Sequence, residues 1–157
     1  MISNKHYKFL LLTLCFFLYE KAYTSNNLEN YDISNICFKQ NNKCFKLKIA
    51  DTEEKRRIGL MNIKSISKYD GMIFIYGAQS LVDIWMLNTY IKLDLIFLKD
   101  EMIIKIIEEV KPCIKKPCKI YQHNQPIDTL IELKGGFVNR YNLKVGDKIK
   151  SNQINLK

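Results

Sequence analysis

The chain has 157 residues, which is enough for one domain with a hydrophobic core. Hydrophobic residues make up 47% of it and charged residues 26%, with 6 Gly and 3 Pro, which excludes a disordered, linker-rich or collagen-like chain. The formal net charge of +9 raises the question of an anionic partner. The basic residues are scattered, without the concentrated basic face that nucleic-acid binding needs, so no nucleic-acid partner is predicted.

The first 24 residues are predicted to be a signal peptide. Lys5 and Lys8 form a basic start, and residues 9–19 are apolar apart from one threonine. This length matches the roughly 7–15 residues of a signal-peptide core and falls short of the about 18–20 that span a bilayer comfortably. If the segment were not cleaved after Thr24, it would remain as an N-terminal membrane anchor, the one contact with a membrane that the sequence predicts. The protein is therefore expected to be exported, periplasmic or extracellular.

A polar stretch over residues 25–35 is predicted to be a flexible leader before a β domain over residues 36–150 and a polar tail over residues 151–157. The domain opens with alternating apolar and lysine residues at 45–49, the period of a strand with one solvated face. One short helix is predicted near residues 52–61, because Asp51 can cap it and Glu54 completes a capping box.

Further apolar runs predict strands separated by polar turns. They comprise residues 72–76, 81–86, 93–98 and 129–133, with a final turn and strand at 145–149. About seven short strands with one short helix predict a single-domain, mostly-β fold, either a β-sandwich or a barrel-like fold. One core is expected to contain Met61, Met72, Phe74, Trp85, Leu95, Phe97 and Ile131.

Four of the five cysteines follow the predicted signal peptide, where export makes disulfide bonds possible. A hairpin with its loop at residues 39–42 would place Cys37 opposite Cys44, while Cys113 and Cys118 bracket a short loop that could close on itself. A zinc site of four thiolates is the rival interpretation. The Cys-x6-Cys and Cys-x4-Cys spacings match zinc knuckles poorly, so two disulfides are favoured and no metal site is predicted.

Several short motifs occur in a specific order along the chain. They are Ala50-Asp51-Thr52, Arg56, Gly59-Leu60-Met61, Gly71-Met72-Ile73-Phe74, Trp85-Met86-x-Asn88-Thr89, Leu93-Asp94, Ile131-Glu132-Leu133, Gly136 and Val145-Gly146-Asp147. This set resembles the uncharacterised family known as domain of unknown function 192 over about residues 36–150. The resemblance implies a compact β-sandwich, commonly exported, and implies no established activity.

Three positions depart from the pattern of that family. The chain has Ile63 where the family usually has a basic residue, Leu87 where it has lysine, and Lys92 where it has proline. A functional surface that depended on these positions would be altered in this chain.

Five residues are candidate ligand-binding residues because they are polar or aromatic and fall in the family motifs. They are Arg56, Trp85, Asn88, Asp94 and Glu132. One hypothesis gathers the four polar ones around the tryptophan at the rim of a pocket, with the arginine able to bind a carboxylate through two hydrogen bonds. The alternative is structural: the asparagine shapes a turn, and one of the two acids neutralises the arginine.

The sequence therefore favours an exported, monomeric binding module for a small polar molecule, a sugar or a peptide. One alternative is an envelope interaction or assembly protein without a small-molecule site, whose partner is another envelope protein. A second alternative is a hydrolase that uses Asp94 and Glu132 as paired carboxylates. The chain contains no phosphate-binding glycine loop, Gly-x-Ser-x-Gly elbow or His-Glu-x-x-His motif, so no catalytic residue and no cofactor are predicted.

Overall fold

The computed structural model of the protein describes residues 28–151. In chain order, the elements are a 3₁₀ turn Leu28–Asn30, β1 Ile33–Phe38, β2 Lys43–Ala50, α1 Glu53–Ile58, β3 Gly71–Ser80, β4 Asp83–Trp85, β5 Leu93–Lys99, β6 Met102–Val110, β7 Ile120–Gln122, β8 Ile127–Lys134, α2 Phe137–Tyr141 and β9 Ile149–Ser151. Neither helix of this region has the length and apolar character needed to cross a membrane. The predicted signal peptide lies outside the described residues, as does all but the first residue of the predicted tail.

Seven of the described strands form one sheet, in the order β6-β5-β8-β3-β2-β1-β9. Among the strands within residues 28–151, β2 and β3 are the only pair that runs parallel, and the connection between them contains α1. The sheet curls until its two edges meet, where the Ile103 amide donates to the Asp147 carbonyl and the Ile149 amide donates to the Glu101 carbonyl, both at 2.9 Å. The predicted mostly-β, barrel-like fold is confirmed. β4 and β7 form a separate two-stranded ribbon.

The curled sheet is buried on both faces, so the protein has two hydrophobic clusters instead of the one core that was predicted. The cluster inside the curl, here the barrel core, includes Ile103 and Ile149 from the two edge strands and Ile131 from the middle. The cluster on the outer face, here the outer core, lies under the β4–β7 ribbon and includes Ile84. Because alternate residues of a strand point to opposite faces, the central strands β3, β5 and β8 contribute to both cores.

The predicted core residues divide accordingly. Met72, Phe74, Leu95 and Phe97 pack together in the outer core, as predicted, whereas Ile131 points into the barrel core. Two assignments were wrong, because Met61 is only half-buried and the Trp85 side chain is 45% exposed. Both residues belong to the wall of a groove instead.

The first helix occupies the predicted position, but its cap differs from the predicted one. The Thr52 hydroxyl accepts a hydrogen bond from the Lys55 amide at 3.2 Å, which satisfies one of the free amides of the first turn. Asp51, the predicted cap, instead pairs with the Lys55 ammonium at 2.8 Å, an i,i+4 ion pair. The helix begins after Thr52 and is six residues long.

The predicted leader was too long, because β1 begins at Ile33. Residues 33–35 pair with residues 46–48 of β2 and so belong to the sheet. Both predicted disulfides are present: Cys37 lies directly opposite Cys44 with their Cα atoms 3.9 Å apart, and the Cα atoms of Cys113 and Cys118 are 5.9 Å apart. The two bridges account for all four cysteines of the domain, which excludes the zinc alternative.

Candidate ligand-binding groove

A groove of about 350 Å³ opens on the outer face of the sheet, between α1, the second half of β3 and the β4–β7 ribbon. Its lining consists of Glu53, Arg56, Arg57, Ile58, Gly59, Leu60, Met61, Phe74, Tyr76, Val82, Asp83, Ile84, Trp85, Thr89 and Glu132. Three of the five predicted site residues are among them: Arg56, Trp85 and Glu132. The volume falls within the range of pockets that take small molecules.

Arg56 stands at the wall of the groove, held by the backbone. Its Nη1 atom donates to the carbonyls of Asp51 and Ile75 at 2.8 and 2.6 Å, and its guanidinium lies 5.3 Å from the centre of the Tyr76 ring. Within residues 28–151, no carboxylate lies within 4 Å of this guanidinium. The arginine is therefore fixed in position while its charge is left without an ion-pair partner, contrary to the structural alternative in which an acid neutralises it.

Glu132 forms part of the floor of the groove. It lies on β8 between Met72 of β3 and Leu95 of β5, and the residue is only 6% exposed. No described residue lies within hydrogen-bonding distance of its carboxyl group. Burial raises the pKa of Glu132 to about 8, because the charged form loses its hydration there. The group therefore carries a proton at neutral pH.

Tyr76 completes the polar part of the groove. This tyrosine was not predicted as a site residue, because within the run 72–76 it reads as one more apolar strand residue. Its side chain is half-buried, and burial together with the nearby Glu132 raises the pKa of its hydroxyl, while Arg56 acts in the opposite direction. The hydroxyl makes no hydrogen bond with the described residues. The hydroxyl therefore keeps its proton, and the charges of both Glu132 and Arg56 affect its pKa.

Trp85 forms the exposed rim. Its Cα partner on the ribbon is Ile120, and the Lys116 ammonium of the Cys113–Cys118 loop lies 5.4 Å from the centre of the indole ring. The apolar surface next to it comes from the outer core, chiefly Phe74 and Ile84. A flat apolar ligand could therefore stack against the indole while its polar end reaches the floor.

The helix end closes the groove on its other side. The backbone turns away from the helix at Gly59, which has φ +50°, a conformation that strains any residue with a side chain. A β-carbon at this position would also lie only 3.2 Å from the Phe74 ring. Leu60 is buried below this turn. The Gly59-Leu60-Met61 motif thus sets one wall of the groove, a signal that could have identified these residues as site residues.

Asn88 and Asp94, two of the predicted site residues, do not line the groove. Asn88 occupies a turn with φ +54°, where its amide donates to the Cys113 carbonyl and its carbonyl accepts from the Asn62 amide, both at 2.8 Å. Asp94 is fully buried on the barrel-core face, where its carboxylate accepts from the amides of Glu109 and Val138 at 2.8 and 2.9 Å. Of the four polar residues in the predicted cluster, the structure thus brings Arg56 and Glu132 to the groove and places Asn88 and Asp94 outside it.

The three departures from the family pattern also lie outside the lining of the groove. Ile63 packs against the outer core, the backbone of Leu87 pairs with that of Cys113, and Lys92 pairs with Glu109 at 2.6 Å. The groove itself is therefore unaffected by them.

The model of the family DUF192, described as "Uncharacterized ACR", matches residues 36–151 of the chain. The protein belongs to the DUF192 family. The groove residues that belong to the family motifs, among them Arg56, Trp85 and Glu132, all lie inside the matched range. No functionally curated protein matches the chain.

Two crystal structures of similar proteins support the assignment of the fold. A protein of Sinorhizobium meliloti 1021, described as a "putative transcription regulator", has a TM-score of 0.69 and 26% sequence identity, with 79% of this chain and 97% of that chain covered. A protein of unknown function from Novosphingobium aromaticivorans DSM 12444 has a TM-score of 0.67 and 26% identity, covering 76% and 84% of the two chains.

Proposed function

We propose that this DUF192 protein is an exported binding module that takes a small polar molecule in the groove between α1 and the β4–β7 ribbon. The observation that carries the proposal is the Glu132 carboxyl group, which is buried at the floor of an open groove without a hydrogen bond from any described residue. The carboxyl oxygens are open to the groove rather than sealed inside the protein, so a ligand bound there can supply the hydrogen bond that no described residue makes.

The shape of the site supports small-molecule binding over the interaction-protein alternative. An assembly surface would present a flat apolar patch or a strand edge, whereas Arg56, Tyr76 and Glu132 line a concave site with apolar walls. Polar groups set between apolar walls are typical of a small-molecule site, where the polar groups orient the ligand and the apolar walls contribute to the affinity.

The hydrolase alternative loses its proposed pair of carboxylates. Asp94 pairs with Leu133 on the barrel-core side of the sheet, whereas Glu132 pairs with Leu95 on the outer side, so the two acids project to opposite faces. Carboxylates separated by a sheet cannot act on one substrate atom.

Two disulfides in one small domain are consistent with an oxidising compartment, because such bonds are rare in reducing cytoplasm. Together with the predicted signal peptide, they support export to the periplasm or the extracellular space. The ligand would then be a molecule of that compartment.

A ligand screen on the domain tests the proposal. Trp85 is the only tryptophan of the chain, so its fluorescence reports directly on the rim of the groove. We expect at least one class of small polar compounds to raise the melting temperature and to change this fluorescence, because a ligand that binds only the folded state stabilises it.

The matched controls for this screen are two aromatic truncations. Trp85→Ala should abolish the rise in melting temperature, whereas Tyr90→Ala, which removes a side chain of similar exposure (42%) outside the groove, should preserve it. A ligand that stabilises the Trp85→Ala variant as strongly as the unmodified domain would place the binding site elsewhere and contradict the proposal.

A further inference from the structure

Three hydrogen-bond donors face the groove from three different elements. They are the guanidinium of Arg56 on α1, the hydroxyl of Tyr76 on β3 and the protonated carboxyl of Glu132 on β8. The hydroxyl and the carboxyl have no hydrogen-bond partner among the described residues, and the guanidinium is bound through Nη1 alone. The guanidinium can only donate hydrogen bonds, and the hydroxyl and the protonated carboxyl can each donate one, so the three together can satisfy a group that only accepts.

We infer, building on the proposed binding function, that the ligand is a small monocarboxylate whose anionic oxygens accept hydrogen bonds from Arg56, Tyr76 and Glu132, and whose apolar body lies against Phe74 and Trp85. The arginine supplies the charge and a geometry suited to a carboxylate. The two neutral groups supply hydrogen bonds to the remaining lone pairs. A carboxylic acid kept neutral by an apolar environment can donate to an oxyanion in this way.

The aromatic rings of the groove argue against a cationic ligand. A buried acid among aromatic rings would suit an ammonium group if the ring faces were free. Here the guanidinium of Arg56 lies 5.3 Å from the Tyr76 ring centre, and the ammonium of Lys116 lies 5.4 Å from the Trp85 ring centre. Each of these two rings therefore already has one of the protein's own cations near one face, and a ligand ammonium would stand close to a like charge, whereas an uncharged ring can still pack against the other face of the indole.

The charges at the mouth of the groove limit the ligand to a single negative charge. Glu53 and Asp83 line the groove together with Arg57, and all three are exposed. With Glu132 protonated, the two arginines and the two exposed acids of the lining sum to zero charge, so the groove has no excess positive charge for a phosphate ester or a dicarboxylate, while Arg56 can pair with one carboxylate. The volume of about 350 Å³ also suits a compact molecule.

Affinity for such a ligand should depend on the proton of Glu132. The charged or titratable groups around it in the groove are Glu53, Arg56 and Arg57 from α1, Tyr76 from β3 and Asp83 from β4. Lys48 of β2 lies in the same cross-strand row, and its ammonium donates to the Tyr31 carbonyl at 2.7 Å. β5 contributes the apolar Leu95. Above the pKa of about 8, an ionised Glu132 repels a carboxylate, so binding should weaken about tenfold for each pH unit.

Three probes with the same phenyl body separate the head-group classes: phenylacetate, 2-phenylethanol and phenethylamine. Binding is measured on the domain by Trp85 fluorescence at about pH 6 and about pH 9, where Glu132 is protonated and mostly ionised respectively. We expect phenylacetate to bind at least about tenfold more tightly than the other two at the lower pH, and to lose about tenfold at the higher pH.

Three variants assign the effect to the groove. Glu132→Gln keeps a donor but cannot ionise, so it should bind phenylacetate at both pH values with similar affinity. Arg56→Gln should lose the preference for phenylacetate over phenylethanol, whereas Arg140→Gln, the same change at an exposed position outside the groove, should keep it. The melting temperature of each variant establishes that it is folded.

The outcomes distinguish failure of this inference from failure of the proposed function. Tightest binding of phenethylamine, with its loss in Glu132→Gln, would overturn the monocarboxylate inference and leave a binding groove for amines. Equal binding of all three probes would also overturn it and leave an unselective groove. If no probe changes the fluorescence of the folded domain but the screen finds another ligand that depends on Trp85, only the monocarboxylate inference falls. If the screen finds no such ligand either, both proposals fall.

Discussion

At the scale of single residues, the structure assigns opposite roles to two acids that look alike in the sequence. Asp94 is fully buried but accepts two backbone hydrogen bonds, so its carboxylate is satisfied within the protein. Glu132 is almost as buried and accepts none from the described residues, so its pKa rises to about 8. The difference between a structural acid and a candidate binding acid is thus a difference in hydrogen-bond partners rather than in burial.

Glu132 should make the stability of the domain fall as the pH rises. Between about pH 4.5, the ordinary value, and about pH 8, the folded state holds a proton that the unfolded state has released, so each unit of pH lowers the free energy of unfolding by about 1.4 kcal/mol. Glu132→Gln removes this contribution. The variant should therefore match the unmodified domain near pH 4.5 and exceed it by a few kcal/mol near pH 8, as measured by urea denaturation.

The comparison of the two proteins at each pH cancels the titration of every other group. Equal slopes of stability against pH in the two proteins would show that Glu132 is ionised in the folded state, and would remove the neutral donor from the groove.

At the scale of elements, the second helix shows how a distant residue can define a local structure. α2 has five residues and begins after Gly136, which has no side chain to cap it. The cap comes from β5, where Asp94 accepts from the amide of Val138, 44 residues along the chain. The sequence around 137–141 carries no helix signal of its own, which is why only one short helix was predicted.

Removing this cap should destabilise the domain without affecting the groove. Asp94→Ala leaves the amides of Glu109 and Val138 without an acceptor and should lower the free energy of unfolding by about 2–5 kcal/mol. Asp94→Asn retains one acceptor oxygen and should have an intermediate effect. Urea denaturation measures both variants. Stability within about 0.5 kcal/mol of the unmodified domain would show that α2 does not depend on this cap.

At the scale of the whole molecule, the curled sheet separates a core that stabilises the fold from the face that carries the candidate binding groove. The barrel core fills the inside of the curl and holds the two sheet edges together, whereas the outer face carries α1, the ribbon and the groove. Arg56 comes from the α1 connection between the parallel strands, Trp85 from the ribbon and Glu132 from the middle of the sheet. The groove therefore forms only when α1, the ribbon and the sheet have packed together.

The ribbon is held to the rest of the domain in part by the Cys113–Cys118 loop. The Cys113 carbonyl accepts from the Asn88 amide and the Cys113 amide donates to the Met86 carbonyl, and the loop also carries the Lys116 ammonium next to Trp85. Replacing both of these cysteines with serine should lower the free energy of unfolding by about 2–3 kcal/mol and also change the fluorescence of Trp85. The double replacement of Cys37 and Cys44, at the far end of β1 and β2, should lower stability comparably but leave the fluorescence unchanged. A change of fluorescence in both variants would mean that the two ends of the domain are coupled.

The sequence by itself determined the features that depend on residues close together in the chain. The strand at 45–49, the apolar run of β3, the short helix after Ala50 and both disulfides could be predicted, because neighbouring residues supply most of their physical cause. The solvated face expected for the strand is wrong at Lys48, which is buried and donates to the Tyr31 carbonyl. The ordered motifs also sufficed to predict the family. Arg56, Trp85 and Glu132 could be selected as site residues for the same reason, as polar or aromatic interruptions of apolar segments.

Only the tertiary structure decided which of these residues share a site. Asp94 and Glu132 both interrupt apolar strands in the sequence. The Asp94 side chain points into the barrel core and the Glu132 side chain points to the groove, because the register of strand pairing decides which face of the sheet each side chain occupies. Tyr76 became part of the site because β3 passes beneath α1, and Trp85 left the core because its ribbon lies at the rim. Glu132 is a candidate binding residue because it is buried in the sheet yet open to the groove, and this position depends on every strand and helix around it, so no local pattern encodes it.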